Sequence, residues 1–208
     1  MNIALMLFEQ ADLLDFGGPY EVFLTASRMA VRAGQPEPFT VTTVSADGQA
    51  LQAYGGMKIT PQMAIADCKN IDLLIVPGGI DIALFLANKP LMQAIQKVAS
   101  QPGSVVASVC TGAFLLAELG LLDDSEWTTH WEDISELSQR FKLPEGRRDV
   151  HWVDNGQVVT GAGLSSGIAM ALHLVERFEG KALAEKTAKQ IGYQWHSDPS
   201  IIHPASQV

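Results

Sequence analysis

The chain has few cysteines, few basic residues and no long apolar run, and each shortage excludes a class of protein. Its 208 residues include only two cysteines, which excludes a disulfide-rich secreted framework and favours a reducing cytoplasm. The 14 Lys and Arg residues against 23 Asp and Glu residues give a net charge of −9, which disfavours a nucleic-acid-binding surface. No apolar run approaches membrane-spanning length, and no basic segment followed by an apolar core opens the chain. We therefore expect a soluble, cytoplasmic protein that acts on a small-molecule substrate, with no nucleic-acid or membrane partner.

The sequence motifs of common metal and cofactor sites are missing too. There is no His-x-x-x-His pair and no Cys-x-x-Cys pair, so a metal site is not expected. The run Gly161-Ala162-Gly163 lacks the full dinucleotide fingerprint, and no Gly-rich segment with Lys-Ser or Lys-Thr forms a phosphate loop. The sequence predicts no cofactor, and any chemistry should be that of a thiol.

Apolar strand patterns alternate with helical patterns along the chain. Strands are predicted over residues 3–8, 39–45, 71–76, 104–109 and 127–129, with antiparallel excursions over 51–59 and 149–160. Helices are predicted over residues 19–31, 81–87, 90–100, 132–141, 164–178 and 181–193, and directly after Gly112. This alternation predicts an α/β, flavodoxin-like three-layer sandwich with a mostly parallel central sheet between helices. We expect one domain over residues 1–195 and an unpatterned C-terminal tail over 196–208.

The most informative stretch is the run from Ser104 to Ala117, which reaches a single cysteine, Cys110. Small and β-branched residues before Cys110 are typical of a buried parallel strand, and a helical pattern begins straight after Thr111-Gly112. The join predicts a sharp turn with a thiol at its apex, the geometry of a nucleophile elbow. The N–H groups of the first helical turn can stabilise a thiolate there. A small buried hydrophobe is the alternative, and local sequence leaves both open.

Three further segments follow strands, and the carboxyl ends of parallel strands form the sites of such folds. They supply Asp15, the pair Gly78-Gly79, and His130. Each also has a structural interpretation: Asp15 can cap a helix that begins at Gly18 or Pro19, the glycines can form a simple turn, and His130 can pack between tryptophans. The remaining cysteine and histidines are expected to serve packing or to lie at the surface (Cys68, His151, His173, His196 and His203).

Taken together, these segments resemble the ThiJ/PfpI superfamily, which is related to class I glutamine amidotransferases. The resemblance is carried, in order, by Pro77-Gly78-Gly79, Ser108-Val109-Cys110-Thr111-Gly112 and Thr128-Thr129-His130-Trp131, and it covers nearly the whole chain up to the helix at Leu164. The opening Leu14-Asp15-Phe16-Gly17-Gly18-Pro19-Tyr20-Glu21-Val22 further resembles the isonitrile hydratase branch, in which an Asp stands before Gly-Pro where other branches use Glu.

The resemblance implies roles for individual residues. Cys110 would be the nucleophile, with Asp15 facing its sulfur, and the backbone N–H groups of Gly79 and Thr111 would form an anion-stabilising pocket. Substrate-pocket walls are expected at Gly78, Ile80, His130 and Trp131. The implied reaction is the hydration of an isonitrile to an N-substituted formamide, and a homodimer is expected. Protease-like members carry His directly after the Cys, where this chain has Thr111, which weakens a peptidase assignment.

Other functions remain open at this stage. The same domain occurs at the front of AraC-type transcription regulators, although no helix-turn-helix region is expected to fit after Tyr193. A sensor could use Cys110 as an oxidisable or ligand-binding thiol. Amidase, glyoxalase or deglycase chemistry on small carbonyl compounds would use the same thiol.

Overall fold

A computed structural model describes residues 1–200, and residues 201–208, which include His203 and most of the expected tail, lie outside the described residues. The strands are β1 (Asn2–Met6), β2 (Thr40–Ser45), β3 (Leu51–Gln52), β4 (Lys58–Ile59), β5 (Met63–Ala64), β6 (Leu73–Val76), β7 (Val105–Val109), β8 (Trp152–Asp154) and β9 (Val158–Gly161). The helices are α1 (Leu13–Arg32), α2 (Ile82–Ala87), α3 (Lys89–Ala99), α4 (Ala113–Glu118), α5 (Ile134–Phe141), α6 (Ser166–Glu179) and α7 (Lys181–Ile191).

Seven of these strands form one sheet in the order β5-β2-β1-β6-β7-β9-β8. Every pairing in it is parallel except that of β8 with β9. The inner strands β2-β1-β6-β7-β9 follow the 2-1-3-4-5 order of flavodoxin-like folds, so the predicted fold class is confirmed. All residues of β6 and β7 are buried, as expected for strands covered on both faces.

The helices cover the two faces of the sheet. Helices α1, α6 and α7 pack together, while α2 contacts α3 and α4, and α4 contacts α5. The core lies between these layers and the sheet, with Phe23, Phe85, Phe114 and Trp127 among its largest fully buried side chains. Within residues 1–200, no helix combines the length and the apolarity that crossing a bilayer requires.

Helix α1 begins at Leu13, so the prediction of a start at Pro19 is wrong. Proline inside a helix removes one backbone hydrogen bond, whereas in the first turn its missing N–H costs nothing, and Pro19 was therefore predicted to lie in the first turn. Packing of α1 against α6 offsets the lost hydrogen bond. The two helices lie so close at this point that a Cβ on Gly18 would be 2.9 Å from Ile168 Cγ1. As a consequence, Asp15 belongs to the first turn of a helix rather than to a loop.

Two further predictions about strands differ from the structure. Residues 127–129 form no strand, because the Trp127 carbonyl accepts the Arg147 N–H at 2.8 Å and the Thr128 N–H donates to the Thr160 hydroxyl at 2.9 Å. Strand β5 was not predicted, since its two residues are too few to show a pattern. Both antiparallel excursions are confirmed, as the pairs β3–β4 and β8–β9.

Candidate active site

Strand β7 carries Cys110 to the edge of the sheet where the parallel strands end. Cys110 has a φ of 55°, a left-handed conformation that residues other than glycine rarely adopt. A single 3-10 turn over Cys110–Gly112 joins it to α4. Its N–H donates to the Ala162 carbonyl at 2.9 Å, and its carbonyl accepts the Thr129 hydroxyl at 2.7 Å. The predicted sharp turn is present, and these two bonds hold its strained residue in place.

The turn after β6 packs against this elbow, backbone against backbone. A Cβ on Gly112 would lie 2.5 Å from the carbonyl oxygen of Val76, and a Cβ on Gly78 would lie 2.6 Å from the nitrogen of Thr111. Both distances are too short for any side chain, so the close approach depends on glycine. Gly78 therefore does more than end a strand, because it allows the two turns to touch.

The Thr111 side chain links the elbow to the turn after β6 by hydrogen bonds. The Thr111 hydroxyl accepts the N–H of Gly79 at 2.9 Å and donates to the Gly79 carbonyl at 2.7 Å. The Gly79 N–H, which was predicted to stabilise an anion, is thus directed at a hydroxyl. The Thr111 N–H is hydrogen-bonded to the Cys110 thiol and lowers its pKa. Their joint role as an anion pocket stays a prediction.

Asp15 is a fully buried acid that contacts the turn after β6. Its Oδ2 accepts the N–H of Gly78 at 2.9 Å, while its Oδ1 has no hydrogen-bond partner among residues 1–200. Burial raises the pKa of Asp15 to about 7; the Gly78 bond opposes this shift, and the nearby Asp12 carboxylate adds to it. A carboxyl group that titrates near neutrality can both give and accept a proton there.

The thiol of Cys110 is buried, and three acids act on it electrostatically. Only 4% of the residue is exposed. Burial and then the Asp15 carboxylate raise its pKa, and Asp12 and Asp133 add smaller effects in the same direction. The Thr111 N–H stabilises the thiolate as expected, but burial and these charges outweigh it, so the net effect is a raised pKa of the thiol. The resting form of this pair is a neutral thiol beside a group that titrates near pH 7.

The remaining predicted site residues lie around the rim of this sheet edge. His130 is partly buried, with Nδ1 3.4 Å from Asp133 Oδ2 and 3.8 Å from Glu132 Oε2. Ile80 directly follows the glycine turn and is 68% exposed, while Trp131 is 63% exposed. Their predicted role as substrate-pocket walls remains untested.

Sequence reasoning missed four contributors to this site. Thr129 and Ala162 bind the backbone of Cys110, while Asp12 and Asp133 act on its sulfur electrostatically. For Asp12 a signal was available, since it precedes Asp15 by three positions and so shares its helical face. The other three come close only through the tertiary fold.

The histidines away from the elbow make local contacts. His173 Nε2 lies 2.7 Å from Asp154 Oδ2, and its ring stacks on Trp152 at 5.0 Å. His151 Nδ1 lies 3.2 Å from the Ser166 hydroxyl. Among residues 1–200, no group of three or more His, Cys, Asp or Glu side chains is arranged to hold a metal ion.

Comparison of the sequence with known proteins identifies a family and several relatives. A sequence model of the DJ-1/PfpI family matches residues 1–177. Isonitrile hydratase from Pseudomonas putida is 29% identical over 193 residues, which is 93% of this chain and 78% of that protein. The HTH-type transcriptional regulator GbdR from Pseudomonas aeruginosa is 25% identical over 93% of this chain, which spans only 51% of the regulator's length.

A solved structure agrees with the fold. The crystal structure of a ThiJ/PfpI family protein from Pseudomonas syringae superposes with a TM-score of 0.80, covering 99% of this chain and 78% of that one. At 21% sequence identity this likeness concerns the fold alone.

Proposed function

This chain belongs to the DJ-1/PfpI family, and from that premise we propose that it is a cysteine-dependent hydro-lyase that hydrates an isonitrile to an N-substituted formamide. Cys110 is the nucleophile and Asp15 moves the protons. The observation that carries the proposal is the burial of both groups at one edge of the sheet: Asp15 has a pKa of about 7 and an Oδ1 with no hydrogen-bond partner among the described residues, and its carboxylate raises the pKa of the Cys110 thiol. The similarity to isonitrile hydratase supports the choice of substrate.

The first step adds the thiol across the terminal carbon of the isonitrile. The sulfur of Cys110 bonds to this carbon, and the proton of the thiol reaches the same carbon through the Asp15 carboxyl group. The product is a thioimidate, in which carbon carries one hydrogen, the sulfur and a double bond to nitrogen. Because the proton travels with the attack, a thiol with a raised pKa suits this step, and no free thiolate has to accumulate.

The second step adds water to the thioimidate carbon. Asp15 accepts one proton from the water as the C–O bond forms and passes it to the nitrogen. The tetrahedral adduct then expels the sulfur, which takes the remaining hydroxyl proton through Asp15, and the formamide leaves with its nitrogen retained. The sum is one isonitrile and one water to one formamide, and the reaction as written uses no cofactor.

Backbone and rim residues complete the proposed site. The N–H groups of Thr111 and Gly79 stabilise charge that develops during the two additions, the latter once the Thr111 hydroxyl releases it. Ile80, His130 and Trp131, with Gly78 beneath them, line the region that receives the group attached to the isonitrile nitrogen. We include in the proposal a homodimer, which the superfamily resemblance implies.

The proposal is tested by following isonitrile loss and formamide appearance in the same reaction. The wild-type protein should convert several small alkyl isonitriles, and Cys110→Ala should convert none. Cys68→Ala serves as the matched control, because Cys68 lies apart from the elbow and should be dispensable. A folded wild-type protein that converts no isonitrile would overturn the function, and activity retained in Cys110→Ala would overturn the role of Cys110.

A second candidate is a ligand-sensing role, favoured by the similarity to the regulator GbdR over 93% of this chain. Within that candidate, redox sensing through Cys110 is the weaker form, because oxidation follows thiolate character and exposure and this thiol is buried with a raised pKa. Peroxide titration followed by intact-mass measurement separates the cases. Preferential oxidation of Cys110 without isonitrile turnover would favour the sensor. Amidase, glyoxalase and deglycase substrates are assayed in parallel, since they would use the same thiol.

A further inference from the structure

The hydroxyl of Thr111 occupies both backbone polar groups of Gly79. It accepts the Gly79 N–H at 2.9 Å and donates to the Gly79 carbonyl at 2.7 Å. Both residues are buried, so water does not compete freely for these bonds. While the two bonds are made, the Gly79 N–H is not available to a ligand.

The two turns that carry these groups are fixed against each other. A Cβ on Gly78 would lie 2.5 Å from Thr111 Oγ1, so the backbone of this glycine packs directly against the hydroxyl. On its other side the turn is held by an antiparallel bridge between Ala11 and Gly79, and by the Asp12 N–H, which donates to the Gly78 carbonyl at 2.9 Å. Because neither turn is free to move, releasing the Gly79 N–H means breaking two buried hydrogen bonds at once.

The second N–H group at this site is occupied as well. The Thr111 N–H is hydrogen-bonded to the Cys110 thiol. An oxyanion pocket is effective when its donors already point at the place where negative charge develops, because no rearrangement is then needed during the reaction. In the resting site one donor points at sulfur and the other at a hydroxyl, so the pocket is not prepared for an oxyanion.

The consequence depends on where the electron pair goes during attack by the thiol. On a carbonyl carbon, the pair moves to the oxygen, which requires a donor in the first step. On the terminal carbon of an isonitrile no oxygen is present, and the pair stays on that carbon, where the proton carried by Asp15 neutralises it. An isonitrile can therefore react before the Gly79 N–H is released, whereas a carbonyl compound needs that N–H at the outset.

We propose that the Thr111 hydroxyl determines the specificity of this site by withholding the Gly79 N–H, so that Cys110 discriminates against esters, amides and α-oxoaldehydes. Thr111 acts here through Gly79 and is a positioning residue. The inference rests on the proposed function for the accepted substrate, an isonitrile, and adds the chemical class that is rejected. It separates isonitrile hydration from amidase, glyoxalase and deglycase chemistry at the same thiol.

The test compares two reactions of one thiol, in a Cys68→Ala background that leaves Cys110 as the only cysteine. With p-nitrophenyl acetate, the sulfur bonds to the carbonyl carbon through an oxyanion, p-nitrophenolate leaves, and the thiol proton passes to water. With iodoacetamide, the sulfur bonds to carbon, iodide leaves, and no oxyanion forms. The ratio of the acylation rate to the alkylation rate therefore reports oxyanion stabilisation. In the wild-type site it should lie within about threefold of the ratio for free N-acetylcysteine.

Variants assign the effect to the hydroxyl. Thr111→Val removes it and leaves the Gly79 N–H free, so the ratio should rise at least about tenfold, since one aligned donor contributes about 10²–10³. Thr111→Ser keeps the hydroxyl and should keep the wild-type ratio. Thr129→Val is the matched control: it also removes a buried hydroxyl, one that donates to the Cys110 carbonyl at 2.7 Å, but leaves Gly79 untouched, so the ratio should not change.

Three results would overturn the inference: a wild-type ratio far above that of the free thiol, no rise in Thr111→Val, or a Thr111→Ser protein that behaves like Thr111→Val. If Thr111→Val does not fold, the wild-type ratio decides, because a prepared pocket would raise it about 10²-fold or more over the free thiol.

Isonitrile turnover, measured separately, distinguishes this inference from the proposed function. If Thr111→Val raises the ratio while the wild-type protein converts no isonitrile, the proposed reaction fails and the role of Thr111 stands. If isonitriles are converted and the ratio is the same in all variants, the reaction stands and the role of Thr111 fails.

Discussion

Replacing Asp15 by asparagine should stabilise the protein and abolish its proposed activity at the same time. The carboxyl group is fully buried, and its Oδ1 has no hydrogen-bond partner among the described residues. Its pKa rises from 3.8 to about 7, so the folded chain binds this proton more tightly than the unfolded chain does. Ionisation of Asp15 therefore lowers stability as the pH climbs from about 3.8 through about 7, and the full penalty is present above that range.

The size of this penalty follows from the shift. A change of about three pKa units corresponds to roughly 4 kcal/mol above pH 7, at about 1.36 kcal/mol per unit. Asparagine keeps an oxygen for the Gly78 N–H but buries an amide group without a partner, which costs about 1–3 kcal/mol. The net gain in free energy of unfolding at pH 8 is expected to be about 1–3 kcal/mol, or several degrees in Tm for a chain of this length.

The assay is denaturant unfolding of the wild-type protein and Asp15→Asn at pH 8 and pH 5. The advantage of the variant should shrink by about 2–3 kcal/mol at the lower pH, because most of the wild-type penalty is gone there. Asp124→Asn, an exposed matched control, should show no such dependence. An Asp15→Asn protein that is no more stable than wild type at pH 8, or whose advantage is the same at both pH values, would refute this account of Asp15.

Three further predictions concern the site and its support. Because Asp15 must be ionised to take up the thiol proton, kcat/KM should rise as the pH climbs through about 7, and a flat pH profile between pH 5 and 8 would contradict that role. Gly112→Ala should lower the free energy of unfolding by about 3 kcal/mol or more in thermal unfolding, because the new Cβ would lie 2.5 Å from a carbonyl oxygen. Its control is Gly17→Ala, where a Cβ would meet nothing within 4 Å, and this variant should be neutral or stabilising by up to about 1 kcal/mol. Thr129→Val should cost about 1–2 kcal/mol and lower kcat, because the Cys110 carbonyl loses its hydroxyl donor, while Thr129→Ser should restore both; equal effects of the two substitutions would count against this bond.

The elbow was predictable because its pattern is local. A run of buried residues leads to Cys110, and Gly112 follows it as a residue small enough to lie against the carbonyl of Val76. The buried run, Cys110 and Gly112 are contiguous in sequence, although Val76 is not. The fold class could be predicted as well, since alternating strands and helices leave few ways to build a parallel sheet.

Features decided by distant contacts could not be predicted. The start of α1 depends on α6 packing against Gly18, which allows the helix to run through Pro19. The conformation of residues 127–129 depends on bonds to Thr160 and Arg147, far along the chain. Local propensity alone gives the wrong answer in both places.

The electrostatics of the thiol reversed the expectation from sequence. A helical turn after Cys110 favours a thiolate, but the thiol is buried and its pKa is raised by Asp15, Asp12 and Asp133, which come from two other parts of the chain. Their sum depends on three-dimensional distances, which the sequence does not contain. The reversal changes the proposed mechanism, because the proton must move during the attack rather than before it.

The claim that the Cys110 sulfur bonds to the isonitrile carbon is tested most directly by rapid-quench intact-mass spectrometry. Wild-type protein mixed with excess isonitrile should gain the full mass of one isonitrile, on the peptide that contains Cys110, and the adduct should decay to unmodified protein as formamide accumulates and substrate runs out. Formamide production that continues in Cys110→Ala, at the wild-type rate and with no adduct on the wild-type cysteine, would contradict the account.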